Sequence, residues 1–285
     1  MRQSWVLAAA LVVSWLPSPL EAQDGGSTPS TLGEEVALEY AAGIDWMTRT
    51  LSFRDDLYDR LGRYDLPAAP VLSVGARWFP GAHVSSGWLS GLGVSGSFQG
   101  AFGVTTSLPS SGVGREPSTL STTVDQFTIG LVYRVRFLER ISVEAALDYG
   151  EARFRVDPDG PSRPGSAGAV IPSVHYHFVR PGLAIGVRLP VGFGLRGALG
   201  WRGIVDAGPL TNDEWFPRSS ATGLDLSIGL SWRFDRWFEL RVHAEHVRYL
   251  TDVSPEPGDA LVVGGMADEW TRAGLELAVI IPGVP

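Results

Sequence analysis

From Thr222 to Phe234 the chain alternates without a break: Leu224, Leu226, Ile228, Leu230, Trp232 and Phe234 fall on one face, and Gly223, Asp225, Ser227, Gly229, Ser231 and Arg233 on the other. A period of two is the side-chain period of a β-strand. One such strand decides nothing, because a soluble sandwich also buries an apolar face. The alternation recurs in about ten segments, with charge on the second face and aromatics at the strand ends, and short turns alternate with long polar loops. That combination predicts an all-β fold, an antiparallel transmembrane up-and-down β-barrel of about ten strands.

The first predicted strand runs from Glu34 to Trp46, followed by a charged loop over 48–65. Strands are then expected near 70–79, 88–102, 123–137, 141–154, 173–189, 193–206, 222–234, 238–249 and 269–281. Strand six is the least regular, because Leu183, Ile185, Val187 and Leu189 are out of phase with Tyr176 and Phe178. A bulge near Arg180 or an inward-facing aromatic pair would each account for it. Trp78, Phe79, Trp88, Phe137, Phe193, Trp232, Phe234, Trp237 and Phe238 crowd the short turns. Aromatics gather at bilayer interfaces, so these turns read as periplasmic and the loops as extracellular. A soluble all-β domain would not require such one-sidedness.

Residues 1–22 carry Arg2, an apolar run from Trp5 to Leu16, and Leu20-Glu21-Ala22. This reads as a cleaved signal peptide, since so short a run cannot span a bilayer that needs roughly 20 apolar residues. Residues 23–33 form a Gly/Ser/Pro-rich flexible tail, and the barrel occupies 34–285. The chain has no Cys, which excludes disulfides, thiolate metal sites and Cys nucleophiles. Its net charge of −8 disfavours nucleic acid. The 23 basic residues are all Arg, which stays charged at any working pH and binds carboxylates bidentately.

The face opposite the apolar stripe collects Arg77, Arg134, Arg136, Arg180, Arg188, Arg196, Arg202, Arg233, Arg241 and Arg272 against Glu35, Glu39, Asp45, Glu144, Asp148, Asp206, Asp225, Glu239, Glu245 and Glu276. Cations and anions balance. Isolated buried charges are costly, so these groups are expected to pair across strands. A barrel of about eight strands is just filled by its side chains, whereas water-filled channels appear near sixteen strands. The expectation is therefore a lumen closed by Arg/carboxylate pairs, with a narrow porin-like passive pore for small solutes or anions as the alternative.

Catalytic constellations are sparse. His175 and His177 share one strand face at a spacing compatible with a metal, yet no Cys or carboxylate accompanies them locally. His243 shares the inward parity of Glu239, Arg241 and Glu245 and reads as a further lumen group. A rim hydrolase is the third reading. Omptin proteases, ten-stranded barrels, use an acidic pair and an Asp-His pair at the extracellular rim. Here Asp55-Asp56 imitates the first, but Asp206, Asp213 and Glu214 in loop four have no His beside them. Lipid A deacylases use a His-Ser dyad; Ser173 precedes His175, but no acidic residue follows to orient the ring. No catalytic, cofactor or metal residue is therefore assigned.

The phrases FRDDLYDRLGRYDLPAAPVLSVGARWFPGAH, HYHFVRPGLAIGVRL and DEWFPRSS, together with the barrel patterning, resemble the OmpA/OmpX-like outer-membrane β-barrel superfamily and are similar to uncharacterised barrels of δ-proteobacterial type. The resemblance covers nearly all of the chain after residue 22. It implies a place in the outer membrane of a Gram-negative bacterium, among outer-membrane lipid and lipopolysaccharide, delivered there by the barrel insertion machinery. It brings no activity with it. Such proteins usually end in an aromatic residue, whereas this chain ends Ile280-Ile281-Pro282-Gly283-Val284-Pro285. The expected role is structural or surface recognition by a monomer without cofactor. Arg54, Asp55, Asp56, Tyr58, Arg60, Arg63 and Tyr64 in loop one, and Trp215 and Phe216 in loop four, are the residues most suited to contacting a partner.

Overall fold

A computed structural model describes residues 36–59, 61–85, 87–108, 118–137, 140–156, 172–212, 215–259 and 261–284. The signal peptide, the tail and Glu35, and also Arg60, Asp213 and Glu214, lie outside the described residues. Ten strands follow one another: β1 Val36–Arg54, β2 Tyr64–Trp78, β3 Leu92–Leu108, β4 Ser118–Phe137, β5 Ile141–Val156, β6 Val174–Arg188, β7 Phe193–Asp206, β8 Ser219–Arg233, β9 Phe238–Val253 and β10 Gly265–Pro282. Each pairs antiparallel with its neighbours in sequence, and β1 pairs with β10, so the sheet is a closed barrel. Closure leaves no edge strand, which a bilayer requires because its core offers no water to unpaired backbone groups. Among the described residues no helix is long and apolar enough to cross a membrane.

Ile44, Leu72, Phe98, Ile129, Leu147, Leu183, Leu199, Ile228, Val242 and Leu275 supply an exposed apolar side chain from every strand. Trp46, Tyr149 and Trp201 border this belt at the loop end, and Trp78, Phe137, Phe193 and Trp232 at the short-turn end. A continuous apolar belt between aromatic girdles makes the chain a transmembrane barrel of the bacterial outer membrane. In such barrels the short turns are periplasmic and the long loops extracellular.

Above the belt the two faces exchange character. On β1 the outward residues Tyr40, Ile44 and Trp46 are apolar, and the inward residues Glu39 and Asp45 are charged. Four residues on, outward positions hold Thr48, Thr50 and Ser52, while Met47 and Leu51 are buried inside. On β9 the outward set passes from Phe238 and Val242 to His246, Arg248 and Asp252, and the inward set from Glu239, Arg241 and Glu245 to Val247 and Tyr249. The lower barrel meets lipid outside and water-like polar groups inside. Its upper part meets water outside and is packed like a soluble core.

This inversion explains where the strands run longer than the sequence suggests. Loop one shrinks from 48–65 to 55–63 and the last loop from 251–268 to 254–264. On β6 the inward-facing aromatic pair is what occurs: Val174, Tyr176 and Phe178 are fully buried, in phase with Arg180 and Ala184. The irregularity sits on β7, where the register with β6 shifts between His177 and Phe178 so that Val205 has no partner. At the short-turn end Phe79 departs from its expected interfacial place. It is fully buried, because its N–H donates to the Ala37 carbonyl (2.7 Å) and turns the ring inward beneath the Arg134 guanidinium, 4.0 Å from the ring centre.

Candidate functional site

The lumen charges expected from parity converge in the lower barrel. Arg180 on β6 donates to Asp148 on β5 (2.8 Å) and, through Nε and Nη2, to both carboxylate oxygens of Asp225 on β8 (2.8 and 2.7 Å). It reaches Asp225 across β7, where Gly200 clears the path: a Cβ there would lie 2.6 Å from Arg180 Nε and 2.7 Å from Asp225 Oδ1. Arg202 adds a hydrogen bond to Asp225 (3.1 Å), another to the Tyr249 hydroxyl, and a longer one to Glu245 (3.4 Å), which also accepts from Arg272 (2.6 Å).

Nearer the short turns, Arg77 on β2 and Arg196 on β7 meet on one oxygen of Glu144 on β5. Arg241 joins Glu39 to Glu239 (2.8 Å each), and Arg233 adds a second contact to Glu239 (3.2 Å). Glu276 stands opposite Arg241 in the β9–β10 register, and His243 Nε2 lies 3.3 Å from Asp45. Arg134 donates to the Val36 carbonyl (2.8 Å). A cavity of about 480 Å³ remains among these groups, and Arg136 and Arg188 line it near the short-turn end. Removing one member of such a pair strands the other charge, at a cost of about 3–5 kcal/mol. Asp206 is a correction to the expected set: it lies exposed at the end of β7, where its carboxylate accepts the Gly208 N–H (2.9 Å).

The loop end is filled by a core that the lumen charges do not foretell. Tyr176 on β6 stacks on Tyr249 on β9 with ring centres 4.1 Å apart, and Trp270 on β10 meets Tyr249 edge-on at 6.2 Å. Arg49 on β1 donates to both oxygens of Asp268 on β10 (2.7 and 2.8 Å), and neither side chain is exposed. The same guanidinium lies 3.8 Å over the ring of Phe154 on β5, and the Tyr176 hydroxyl donates to Asp268 (3.1 Å). Side chains from facing walls therefore touch across the interior.

Trp215 and Phe216 correct the sequence reading. Both are buried in this core, 8% and 1% exposed, together with Ala207 and Leu210, which precede them in the chain. Phe216 closes onto Leu210 through its N–H (3.1 Å) and packs beside Phe53. Tyr64 is likewise buried, inside β2. In loop one Asp56 accepts the N–H groups of Tyr58 (3.2 Å) and Leu61 (2.7 Å), so its carboxylate shapes the loop. Arg54 pairs with Asp252 (3.1 Å), Arg63 with Asp65 (2.9 Å), and Asp55 sits at φ 55°. Arg54, Asp55, Asp56 and Tyr58 are exposed or partly exposed at the loop surface.

On the outer wall, just above the belt, His175 and His177 receive the carboxylate that their own segment lacks. Glu151 on β5 stands opposite His177, and Arg153 opposite His175. The Glu151 Oε1 accepts from His175 Nε2 and from Arg153 Nε. The two imidazole rings lie 4.2 Å apart, and the Tyr149 hydroxyl is 3.2 Å from His177 Nδ1.

No protein-family model and no curated protein matches this sequence. Solved structures that resemble it are outer-membrane barrels. The outer membrane protease OmpT from Escherichia coli is 11% identical, with 86% of this chain and 96% of that one covered at a TM-score of 0.49. The toluene transporter TbuX from Ralstonia pickettii is 9% identical, covering 88% and 91% at 0.38. For the outer membrane protein OprG from Pseudomonas aeruginosa the values are 10%, 88% and 98%, and 0.34.

Proposed function

We propose that this outer-membrane protein is a closed, non-conducting barrel whose packed extracellular head serves a structural or surface-recognition role, as a monomer and without catalysis. The observation that carries the reading is the contact of facing walls at the loop end: Tyr176 on Tyr249, Arg49 over Phe154, and Tyr176 to Asp268. A solute entering the 480 Å³ lower cavity faces, toward the loop end, rings held in stacked, edge-on and hydrogen-bonded contact. On this reading the apolar belt is solvated by outer-membrane lipid, lipopolysaccharide surrounds the head, the insertion machinery delivers the barrel, and nucleic acid has no place. Recognition falls to loop one through Arg54, Asp55 and Tyr58, since Trp215 and Phe216 serve the core.

Planar-bilayer recording tests it. Chain refolded into detergent, shown to be folded by heat-modifiable gel mobility, is expected to give no single-channel steps. Stable, reproducible steps from the folded barrel would replace this reading with the narrow pore.

A further inference from the structure

We propose that Glu151, His175 and His177 form a binding site for a divalent transition-metal ion, zinc above all, on the outer wall of the barrel just above the lipid belt. One ligand atom from each residue lies within 4.8 Å of the other two. Tetrahedral zinc with bonds of about 2.0–2.1 Å places its donors roughly 3.3 Å apart, so side-chain rotations that change the donor separations by at most about 1.5 Å close the set. The donors sit on the paired strands β5 and β6, and their separation is fixed by the register Glu151↔His177 rather than by a loop.

Donor chemistry selects the metal. Two imidazoles and one carboxylate suit zinc, copper or nickel, whereas calcium and magnesium require sets built from oxygen. At present the Glu151 carboxylate accepts from His175 Nε2, and the ion would stand between the two, with the neutral His175 ring carrying its proton on Nδ1 instead. The supporting shell is also present. Tyr149 engages the ring of His177, and Arg153, now on Glu151, has Asp125 at 3.5 Å as its other partner when the metal claims the carboxylate. His175 is backed by the loop that follows β7: a Cβ on Gly208, which sits at φ +60°, would lie 2.7 Å from the His175 Cβ. Three protein ligands leave a position for water or a further ligand, and the two histidines lie on the outer face of β6, opposite the buried Val174, Tyr176 and Phe178.

Tag-free chain refolded into detergent and freed of metal with a chelator would be titrated with zinc chloride by calorimetry. The expected result is one site per chain, weakened at least tenfold in His175→Asn/His177→Asn and in Glu151→Gln, unchanged in His246→Asn, and not reproduced by calcium or magnesium. Equal zinc uptake by the double variant, or none by the folded original chain, overturns the proposal. Should the double variant fail to fold, cobalt binding to the unmodified chain decides. Paramagnetic shifts on the His175 and His177 rings support the site, and shifts confined to His83, His243 or His246 refute it.

Discussion

Arg49 and Asp268 form a two-pronged ion pair, 2.7 and 2.8 Å, with both side chains at zero exposure inside the loop end of the barrel. The pair is welded to its surroundings: the guanidinium lies on the Phe154 ring, and the carboxylate also accepts from the Tyr176 hydroxyl and the Trp270 indole N–H (2.8 Å). Breaking it from one side leaves a charge in an apolar core. Arg49→Met or Asp268→Leu alone is expected to lower unfolding stability by about 3–5 kcal/mol, and the double replacement by clearly less than the sum. Urea titrations of the four proteins give the coupling energy. Additive losses would mean that water, not the partner, satisfies each charge.

The exchange of faces on β1 makes outward positions only four residues apart respond differently to the same substitution. Ile44 is 48% exposed in the belt, and Thr48 points the same way about 13 Å further along the strand. Arg in place of Ile44 must sit in hydrocarbon and is expected to cost about 2–4 kcal/mol. At Thr48 the same side chain reaches water, with a change within about 0.5 kcal/mol. Unfolding in lipid vesicles separates the two; equal costs would put the membrane boundary elsewhere than between Trp46 and Thr48.

Apart from Phe79, the alternation of the lower barrel was legible in the sequence because lipid outside and charge inside give period two a definite sign. Arg77, Glu144, Arg196, Arg241 and Glu39 could be assigned to one lumen on parity alone, and they meet there. Above Trp46 the period persists while its sign reverses, so a rule of apolar outside reads Thr48, Thr50 and Ser52 as loop and misses Arg49. The parity shared by Asp45, Met47, Arg49 and Leu51 was the available signal. Glu151 beside His175 was illegible for another reason: β5 and β6 are joined through 157–173, too long a connection to set their register. Trp215 and Phe216 stand next to Pro217 in a polar loop, where nothing local distinguishes an apolar pair folded into a core from one displayed to solvent.

Between the extracellular loops, Asp259 accepts Arg218 Nη2 on both oxygens (2.6 and 2.5 Å) and the Glu256 N–H (2.7 Å). The Arg218 hydrogen bond, and then the backbone bond, hold its carboxyl below the ordinary aspartate range. A pKa depressed in the folded loops means that the clasp contributes fully above the ordinary value near 3.9 and is lost as pH falls through the lower, folded value. The Asp259 carboxyl carbon resonance is expected to titrate below its position in Arg218→Met. Coincident curves would show that Arg218 does not hold the loop.

Closure of the lumen can be assigned to rings or to charges by asking which of them gates current. Arg196 lies in the lower cavity on Glu144, well below the stacked Tyr176 and Tyr249. If the rings close the barrel, Arg196→Ala enlarges the lower cavity and stays electrically silent. Tyr176→Ala/Tyr249→Ala removes two rings from a cross-section that side chains only just fill, and steps are expected from the fraction that migrates as folded barrel. The double variant is destabilised by several kcal/mol through its cavity, so the folded fraction is measured on the same gel before recording. Conductance in Arg196→Ala and silence in the folded tyrosine variant would place the seal among the charges instead, and the extracellular core would then be a stabilising cap on a barrel that is gated from below.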